Sequence, residues 1–284
     1  NNRMKIRFLI IALLTLLLAA CGEYNKVLKS TDPELKYTYA KKYFDEKKYG
    51  RTTTLLEEIQ TSFAGRAKEQ EILFLLAQAY FYDKDYISAS SRYTRYFNKF
   101  PKGDYAEAAK FNAAYGMFLD SADIRLDQSS TVRSLEGFQS FLEYYPQSDK
   151  AKEAEGLMLQ MQSRLAQKEL NSARLYYNLG YFMGNNYESC VVTAKEALKN
   201  YNFPPFGEEF QILIVRSKFD EAELSYDEKK PVRYRNVMDE HFNYMNMYPE
   251  GKYVRESTRY YKKALKALGQ SEDELEEEVQ ELNN

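Results

Sequence analysis

Apolar and aromatic side chains recur along this chain in a pattern that appears five times after residue 50. In each copy, mostly apolar residues are separated by three, one and three positions, so their side chains lie on one face of a helix. In three copies a proline follows the closing aromatic residue and ends the helix, because the residue before a proline disfavours the α conformation. The copies are Leu56-x-x-Ile59-Gln60-x-x-Phe63, Tyr93-x-x-Tyr96-Phe97-x-x-Phe100-Pro101, Phe138-x-x-Phe141-Leu142-x-x-Tyr145-Pro146, Ala194-x-x-Ala197-Leu198-x-x-Tyr201 and His241-x-x-Tyr244-Met245-x-x-Tyr248-Pro249.

The same register extends towards the N-terminal side of each copy. At one fixed distance before the closing residue four copies carry tyrosine, and three residues later a mostly small residue follows. The tyrosines are Tyr49, Tyr86, Tyr187 and Tyr234, with Thr131 as the exception, and the later residues are Thr52, Ala89, Ser134, Cys190 and Val237. We expect a close helix–helix contact at the small position, because interaxial distance depends on the side chains at the contact.

A further helix is predicted ahead of each copy, most clearly in the second. There Leu73-x-x-Leu76-Ala77-x-x-Tyr80 is followed by a polar turn and then by the helix that starts at Tyr86. Repeated antiparallel hairpins bury their apolar faces by stacking on their neighbours. The step from Phe63 to Phe100 is close to the roughly 34 residues of a tetratricopeptide repeat. The second unit resembles that family at Leu73, Leu76, Ala77, Tyr80, Ala89, Tyr93 and Pro101. We therefore predict an all-α fold, an α-solenoid of about five tetratricopeptide-like hairpins over residues 33–268.

Longer steps between the later copies indicate insertions. Ser121 to Ser130 reads as an extended loop, and Ala151 to Phe182 as one long or broken helix. Asp227 to Pro231 reads as a charged turn. A closing helix from Tyr253 to Leu268 would cap the array, with Lys262, Lys263 and Lys266 on its solvent side.

The first residues of the chain have the pattern of a signal peptide. Arg3, Lys5 and Arg7 precede an apolar run from Phe8 to Ala20. This run is shorter than the roughly 20 residues that span a bilayer as a helix. A basic start followed by a short apolar segment is typical of a secretory signal. We assign residues 1–20 to it.

The end of this run resembles the lipobox of bacterial lipoproteins. Leu18, Ala19 and Ala20 stand directly before Cys21. The resemblance implies cleavage before Cys21, a diacylglycerol on its thiol and acylation of its amino group, and the absence of Asp at Gly22 resembles the outer-membrane sorting default. Residues 21–32 would then be a lipidated linker. The alternative is an ordinary secretory signal with an incidental cysteine.

Composition excludes several classes of function. Lys and Arg total 40 against 42 Asp and Glu, a net charge of −2, which leaves no basic excess for a general nucleic-acid binder. One His and two Cys supply neither the usual zinc set nor a disulfide framework. No nucleophile–base pair or phosphate loop is recognisable, so we predict a protein that is not an enzyme and has no cofactor besides its covalent lipid.

Two residues with reactive side chains are predicted to be structural. His241 holds a repeat position that is apolar in the other copies, so its ring is expected to be packed. Cys190 holds the small-residue position and is expected to behave as a small hydrophobe.

Two explanations are open for the 26 tyrosines. Tyrosine provides apolar area together with a polar tip at the edge of a core, and aromatic residues also anchor bound peptides. The candidate peptide-binding residues are Tyr37, Tyr43, Phe44, Phe74, Tyr80 and Tyr82.

Residues 269–284 form an acidic tail. Between Glu272 and Leu282 it carries seven acids and no base. Either it is a solvated end, or it becomes a helix on a partner, since Leu275, Val279 and Leu282 share a helical face.

A lipobox followed by degenerate tetratricopeptide units resembles the BamD family of outer-membrane assembly lipoproteins. The stretch Arg164-Leu165-Ala166-x-x-Glu169-x-x-x-Ala173-x-x-x-Tyr177 adds to the resemblance, which covers about residues 18–268. The chain departs from the family in lacking an Arg around Ala194 to Ala197 and in its enlarged last unit.

The resemblance implies a non-catalytic scaffold that is lipid-anchored to the outer membrane and faces the periplasm. Its N-terminal hairpins would receive the C-terminal segments of unfolded barrel proteins, and its C-terminal hairpins would dock on a BamA-type barrel protein. No nucleic-acid partner is expected. The alternative is a tetratricopeptide lipoprotein that regulates cell-wall enzymes or a secretion or gliding apparatus.

Overall fold

The computed structural model of the chain describes residues 22–121, 123–201 and 204–270, and their regular secondary structure is entirely helical. A short helical segment over residues 22–28 comes first. The helices that follow are α1 (Pro33–Asp45), α2 (Tyr49–Ile59), α3 (Glu69–Tyr82), α4 (Tyr86–Lys99), α5 (Ala106–Asp120), α6 (Ser129–Tyr144), α7 (Ala151–Leu179), α8 (Asn186–Asn200), α9 (Pro204–Glu223), α10 (Lys230–Met247) and α11 (Val254–Leu268). The predicted all-α class of tetratricopeptide-like hairpins is confirmed.

The predicted hairpins correspond to consecutive helix pairs from α1–α2 to α9–α10, and the predicted repeat motif lies at the second helix of each pair. The sequence left open whether the residues from Ala151 to Phe182 form one long helix or a broken one. They contain one continuous helix, α7, which ends at Leu179. The predicted closing helix is α11, and its Lys262, Lys263 and Lys266 are exposed as expected.

The chain divides into two compact units. Among the described residues, the first comprises 22–121 and 128–158, and the second comprises 123–127 and 159–270. Each unit has its own hydrophobic core. In the first, Leu55, Leu56 and Leu76 are fully buried, and in the second Phe210 and Ile214 are.

The small-residue positions are the sites of close helix contact, as predicted. Two of them bond directly to the backbone of the neighbouring helix: Thr52 Oγ1 donates to Ala40 O at 3.2 Å, and Ser134 Oγ donates to Ala114 O at 3.1 Å. All five side chains are fully buried; they belong to Thr52, Ala89, Ser134, Cys190 and Val237.

A tyrosine hydroxyl connects the end of one hairpin to the start of the next helix. In the first unit Tyr96 Oη donates to Gln70 Oε1 at 2.9 Å and accepts from the backbone N–H of Tyr105, directly before α5. In the second unit Tyr244 Oη donates to Glu208 Oε1 at 2.6 Å. We call this arrangement the tyrosine joint. The tyrosine hydroxyl finds its hydrogen-bond partners inside the protein, whereas the sequence suggested that it lies at the solvent-exposed edge of the core.

The Tyr244 joint also reaches the start of α11. Tyr244 Oη accepts from the backbone N–H of Tyr253 at 3.0 Å, and Glu208 Oε1 accepts from the same N–H at 3.2 Å. The first N–H groups of a helix lack partners within the helix and need acceptors of this kind.

Glycine is required beside each tyrosine joint. A Cβ added to Gly103 would lie 2.3 Å from Gln70 Oε1 and 2.7 Å from Tyr96 Oη. One added to Gly251 would lie 2.5 Å from Glu208 Oε1 and 2.6 Å from Tyr244 Oη. Both glycines are the fourth residue of an aromatic-Pro-x-Gly sequence, which therefore encodes the joint.

Candidate peptide and partner surfaces

Three of the six predicted peptide-binding aromatics belong to the core of the first unit. Tyr37, Tyr43 and Phe74 are buried, Tyr43 to 1% exposure. Phe74 is stacked on Tyr105 with ring centroids 4.5 Å apart. These residues pack the hairpins together, which corrects their assignment as surface anchors.

Two others contribute to a partly exposed aromatic cluster at the turn ends of α1 and α3. The rings of Phe44, Tyr49 and Tyr82 lie within 5.4–5.8 Å of one another, and Tyr49 and Tyr82 are stacked. Tyr82 is 51% exposed. Phe44 and Tyr82 therefore stay predicted peptide contacts.

Tyr80 is half-buried and engaged in a polar network. Its Oη donates to Glu57 Oε1 at 2.6 Å, and Arg92 Nη2 donates to the same oxygen at 2.6 Å. Burial, followed by the hydrogen bond to Glu57, raises the pKa of Tyr80. The network connects α2, α3 and α4 and holds Tyr80 in place; a peptide-binding role for Tyr80 stays a prediction.

A groove in the first unit is the best-formed candidate peptide site, and the sequence did not indicate it. The Lys110 ammonium lies 4.4 Å from the centroid of Phe97 and 4.2 Å from that of Tyr144. The two rings meet edge to face at 5.3 Å. The cavity has a volume of about 350 Å³ and is lined by Ser90, Thr94, Phe97, Asn98, Lys110, Ala113, Ala114, Met117, Arg133, Glu136, Gly137 and Ser140. We call it the Lys110 groove.

The electrostatics of this groove favour an anion. Burial lowers the pKa of Lys110, since desolvation disfavours the charged form. The ammonium lies against the two rings, and Glu143 offsets part of the effect of burial on this pKa. No ion pair between described residues includes Lys110. A carboxylate brought into the groove would stabilise the ammonium.

The helix that carries the family resemblance is part of α7. Ala173 is fully buried in the core of the second unit. Tyr177 Oη donates to Asp220 Oδ2 at 2.7 Å, and burial together with this bond raises the pKa of Tyr177. Nearby, Arg216 holds Glu256 through two hydrogen bonds of 2.7 and 2.8 Å. The Tyr177–Asp220 hydrogen bond connects α7 to α9, and the Arg216–Glu256 ion pair connects α9 to α11.

An apolar surface lies at the turn ends of the second unit. In the turn after α7, Gly180, Met183 and Gly184 have positive φ angles of 52°, 55° and 150°, and Met183 is 92% exposed. Large apolar side chains exposed together mark interaction sites. The residues of this surface, which we call the tip patch, are Tyr181, Phe182, Met183, Leu224 and Tyr226.

His241 and Cys190 are packed, as predicted. His241 Nδ1 lies 2.9 Å from Ser257 Oγ, and its ring stacks on Tyr261. Burial lowers the pKa of His241 and raises the pKa of Cys190, which opposes the reactive thiolate form.

The described residues contain no group of three or more His, Cys, Asp or Glu that could hold a metal ion. No helix among them is both long and apolar enough to cross a membrane. The predicted lipobox Leu18–Ala20, the lipidation site Cys21 and the acidic tail beyond Gln270 lie outside the described residues and stay predictions.

These helical hairpins define a helical-repeat protein of the tetratricopeptide-like class. A family model described as "YfiO: Outer membrane lipoprotein" matches residues 29–202, more than half of the chain. The chain belongs to this family of outer membrane lipoproteins.

A more particular likeness is to the "Outer membrane protein assembly factor BamD" of Pasteurella multocida (strain Pm70). The two are 26% identical over 179 residues, which cover 60% of this chain and 68% of the relative. The family match includes α1 to α8, so the Lys110 groove lies within it, whereas α9 to α11 lie beyond its last residue.

Proposed function

We propose that this protein is a lipid-anchored scaffold of outer-membrane β-barrel assembly. It is held at the outer membrane by lipid on Cys21 and faces the periplasm. The observation that carries the proposal is the family match across the first four hairpins, together with the assembly factor among its relatives. Binding without catalysis accounts for the packed His241 and Cys190.

The Lys110 groove receives the C-terminal end of an unfolded barrel protein. The terminal carboxylate pairs with the Lys110 ammonium, and an aromatic side chain packs against Phe97 and Tyr144. A volume of about 350 Å³ is in the range of ligand pockets. The half-buried ring of Phe44 and the exposed ring of Tyr82 offer a second aromatic contact in the same unit.

The groove is tested with labelled peptides that end in phenylalanine as a free acid or as an amide. Lys110→Met keeps the apolar stem and removes the charge. Because charge-assisted hydrogen bonds contribute about 1.5–3 kcal/mol, we expect the free-acid peptide to bind roughly 10- to 150-fold more weakly. The amide peptide should change little, and Lys102→Met, an exposed control, should change neither. An equal loss for acid and amide would exclude carboxylate recognition at Lys110.

The tip patch docks on the periplasmic domains of a BamA-type barrel protein. Its support is the exposure of Met183 and of Tyr226, which is 84% exposed. Burying such side chains in an interface contributes roughly 25 cal/mol per Å² of apolar area, and aromatic residues are frequent at interface centres.

Affinity purification from membranes distinguishes this function from its alternative. We expect a BamA-like barrel to be recovered, and Phe182→Ser with Tyr226→Ser to reduce its recovery, while Tyr82→Ser in the other unit leaves it unchanged. Recovery of cell-wall enzymes or of secretion or gliding components would support the alternative. Depletion that leaves outer-membrane barrel levels unchanged would refute the assembly role.

A further inference from the structure

The short helical segment over residues 22–28 is fastened to the first hairpin. Glu23 Oε1 accepts hydrogen bonds from Tyr39 Oη at 3.0 Å and from Lys42 Nζ at 3.1 Å. Val27 is buried in the core of the first unit. The segment is therefore a fixed part of that unit, and we call it the N-terminal clasp.

The clasp begins beside the turn between α1 and α2. The Tyr24 ring meets the Tyr43 ring, near the end of α1, edge to face with centroids 5.7 Å apart. The Arg51 guanidinium, near the start of α2, lies 4.7 Å from the centroid of Tyr24. Consecutive Cα atoms are about 3.8 Å apart, so a lipid on Cys21, which precedes Gly22 directly, is attached close to this turn.

Exposed aromatic and aliphatic side chains lie at the same end of the first unit. Phe44 and Tyr49 flank the α1–α2 turn and contact Tyr82 at the end of α3. Tyr82 is 51% exposed, and Ile87, in the first turn of α4, is 55% exposed. We call the end that contains the α1–α2 and α3–α4 turns the anchor end. Tyrosine is enriched at membrane–water interfaces, where its ring meets apolar atoms and its hydroxyl meets water.

The charges at the anchor end are mixed. The two turns, residues 45–48 and 83–85, carry three lysines and four acids. Lys47 and Lys84 are exposed and have left-handed φ angles of 58° and 64°. Because the net charge is small, the exposed rings rather than charge make this end suited to a lipid surface. A contact of this kind is little affected by salt, which screens charges.

We propose that the anchor end of the first unit contacts the membrane surface, with Tyr82 and Ile87 among the lipid headgroups. The proposal rests on the lipid anchor of the proposed function, because the anchor and the exposed rings then meet the membrane at one end of the unit. A barrel protein that uses the second aromatic contact reaches it at the membrane surface.

The opposite end of α1 provides a matched control position. Leu35 lies in the first turn of α1 and is 39% exposed. It precedes Phe44 by nine residues, which is about 13 Å along a helix that rises 1.5 Å per residue. If the anchor end faces the membrane, Leu35 lies farther from the lipids than Tyr82.

Tryptophan fluorescence of the full, lipidated chain tests this orientation. The chain has no tryptophan, so Tyr82→Trp and the control Leu35→Trp each carry a single reporter. Both are bound to vesicles of phosphatidylcholine and phosphatidylethanolamine, with or without brominated phosphatidylcholine as quencher. Because of the separation along α1, we expect quenching in Tyr82→Trp to be about twofold greater or more. Addition of 1 M salt, where the Debye length is about 3 Å, should leave this difference unchanged.

The outcomes separate this contact from the anchor. Equal quenching of the two variants, or none in either while the chain floats with the vesicles, would overturn the contact and leave the anchor intact. A chain that does not float with the vesicles would refute both. Emission of Tyr82→Trp that responds to a peptide ending in phenylalanine, but not to brominated lipid, would assign the rings to the peptide and refute the lipid contact.

Discussion

Removing one hydroxyl at the Tyr244 joint should loosen the last helix. Tyr244 is fully buried. Its Oη donates to Glu208 Oε1 at 2.6 Å and accepts from the N–H of Tyr253 at 3.0 Å. Tyr244→Phe keeps the ring and deletes both bonds. The N–H of Tyr253 keeps its contact with Glu208 at 3.2 Å, so the main loss is the bond to the carboxylate.

The size of the effect follows from that bond. Hydrogen bonds to charged groups contribute about 1.5–3 kcal/mol net, which corresponds to a roughly 10- to 150-fold change in an opening equilibrium. Because arrays of repeats open locally, the appropriate measurement is amide hydrogen exchange of the α11 peptide in the full chain. We expect protection of α11 to fall by this factor while protection of α1 is retained.

Tyr226→Phe is the matched control, since its hydroxyl is on a side chain that is 84% exposed. Protection of α11 should be unaffected in this variant. If Tyr244→Phe left α11 as protected as in the wild-type chain, the hydroxyl would not contribute to the joint and the physical account of the tyrosines would be wrong.

The remaining predictions concern the other joint, alkaline pH and the anchor. Gly103→Ala places a methyl 2.3 Å from Gln70 Oε1 and 2.7 Å from Tyr96 Oη, so we expect a loss of about 1–3 kcal/mol in urea unfolding. Partial recovery in the double variant with Tyr96→Phe, which relieves the second contact and keeps the first, would confirm the clash, and a neutral single variant would contradict it. Burial and the bond to Glu223 raise the pKa of Tyr234 to about 12, above the ordinary value of about 10. The stabilisation of the fold by the neutral hydroxyl of Tyr234 is complete below about pH 10 and is lost as the pH rises through about 12. Between these pH values the helical circular-dichroism signal should therefore decline less steeply for Tyr234→Phe than for the wild-type chain; equal slopes would refute this. Cys21→Ala should leave the helical fold intact and move the protein to the soluble fraction or leave it uncleaved, as measured by fractionation and mass; normal processing and membrane residence would disprove the lipobox.

The hairpins could be predicted because their signal is local. The three-one-three spacing around Phe138 and Tyr244 specifies a helix face, and Pro146 or Pro249 specifies where the helix stops. A helix face predicted in this way indicates that its residues are packed against a neighbour. Both Phe138 and Tyr244 are fully buried, in agreement with this prediction.

Ligand-facing residues could not be read in the same way. Helix α3 is apolar on nearly all sides, and such helices are covered by neighbours on more than one face. Phe74 was for this reason indistinguishable from an exposed anchor until its contact with Tyr105 was known. Phe97 and Lys110 line the Lys110 groove, and Tyr144 lies against Lys110 beside it. The three residues come from three helices, and no spacing along the chain connects them.

The tyrosine joint also shows which parts of neighbouring hairpins can be exchanged. At the corresponding place after α6, Phe141 has no hydroxyl, and Ser148 stands where Gly103 and Gly251 stand in the joints. Ser148 Oγ donates to Glu107, which occupies the place of Gln70 and Glu208. The side chain that replaces glycine therefore supplies the donor that the missing tyrosine would have supplied. A hairpin moved to another place in this chain would have to carry the tyrosine and the glycine of the joint together. Tyrosine without glycine would leave a clash, and glycine without tyrosine would leave the carboxylate without its donor.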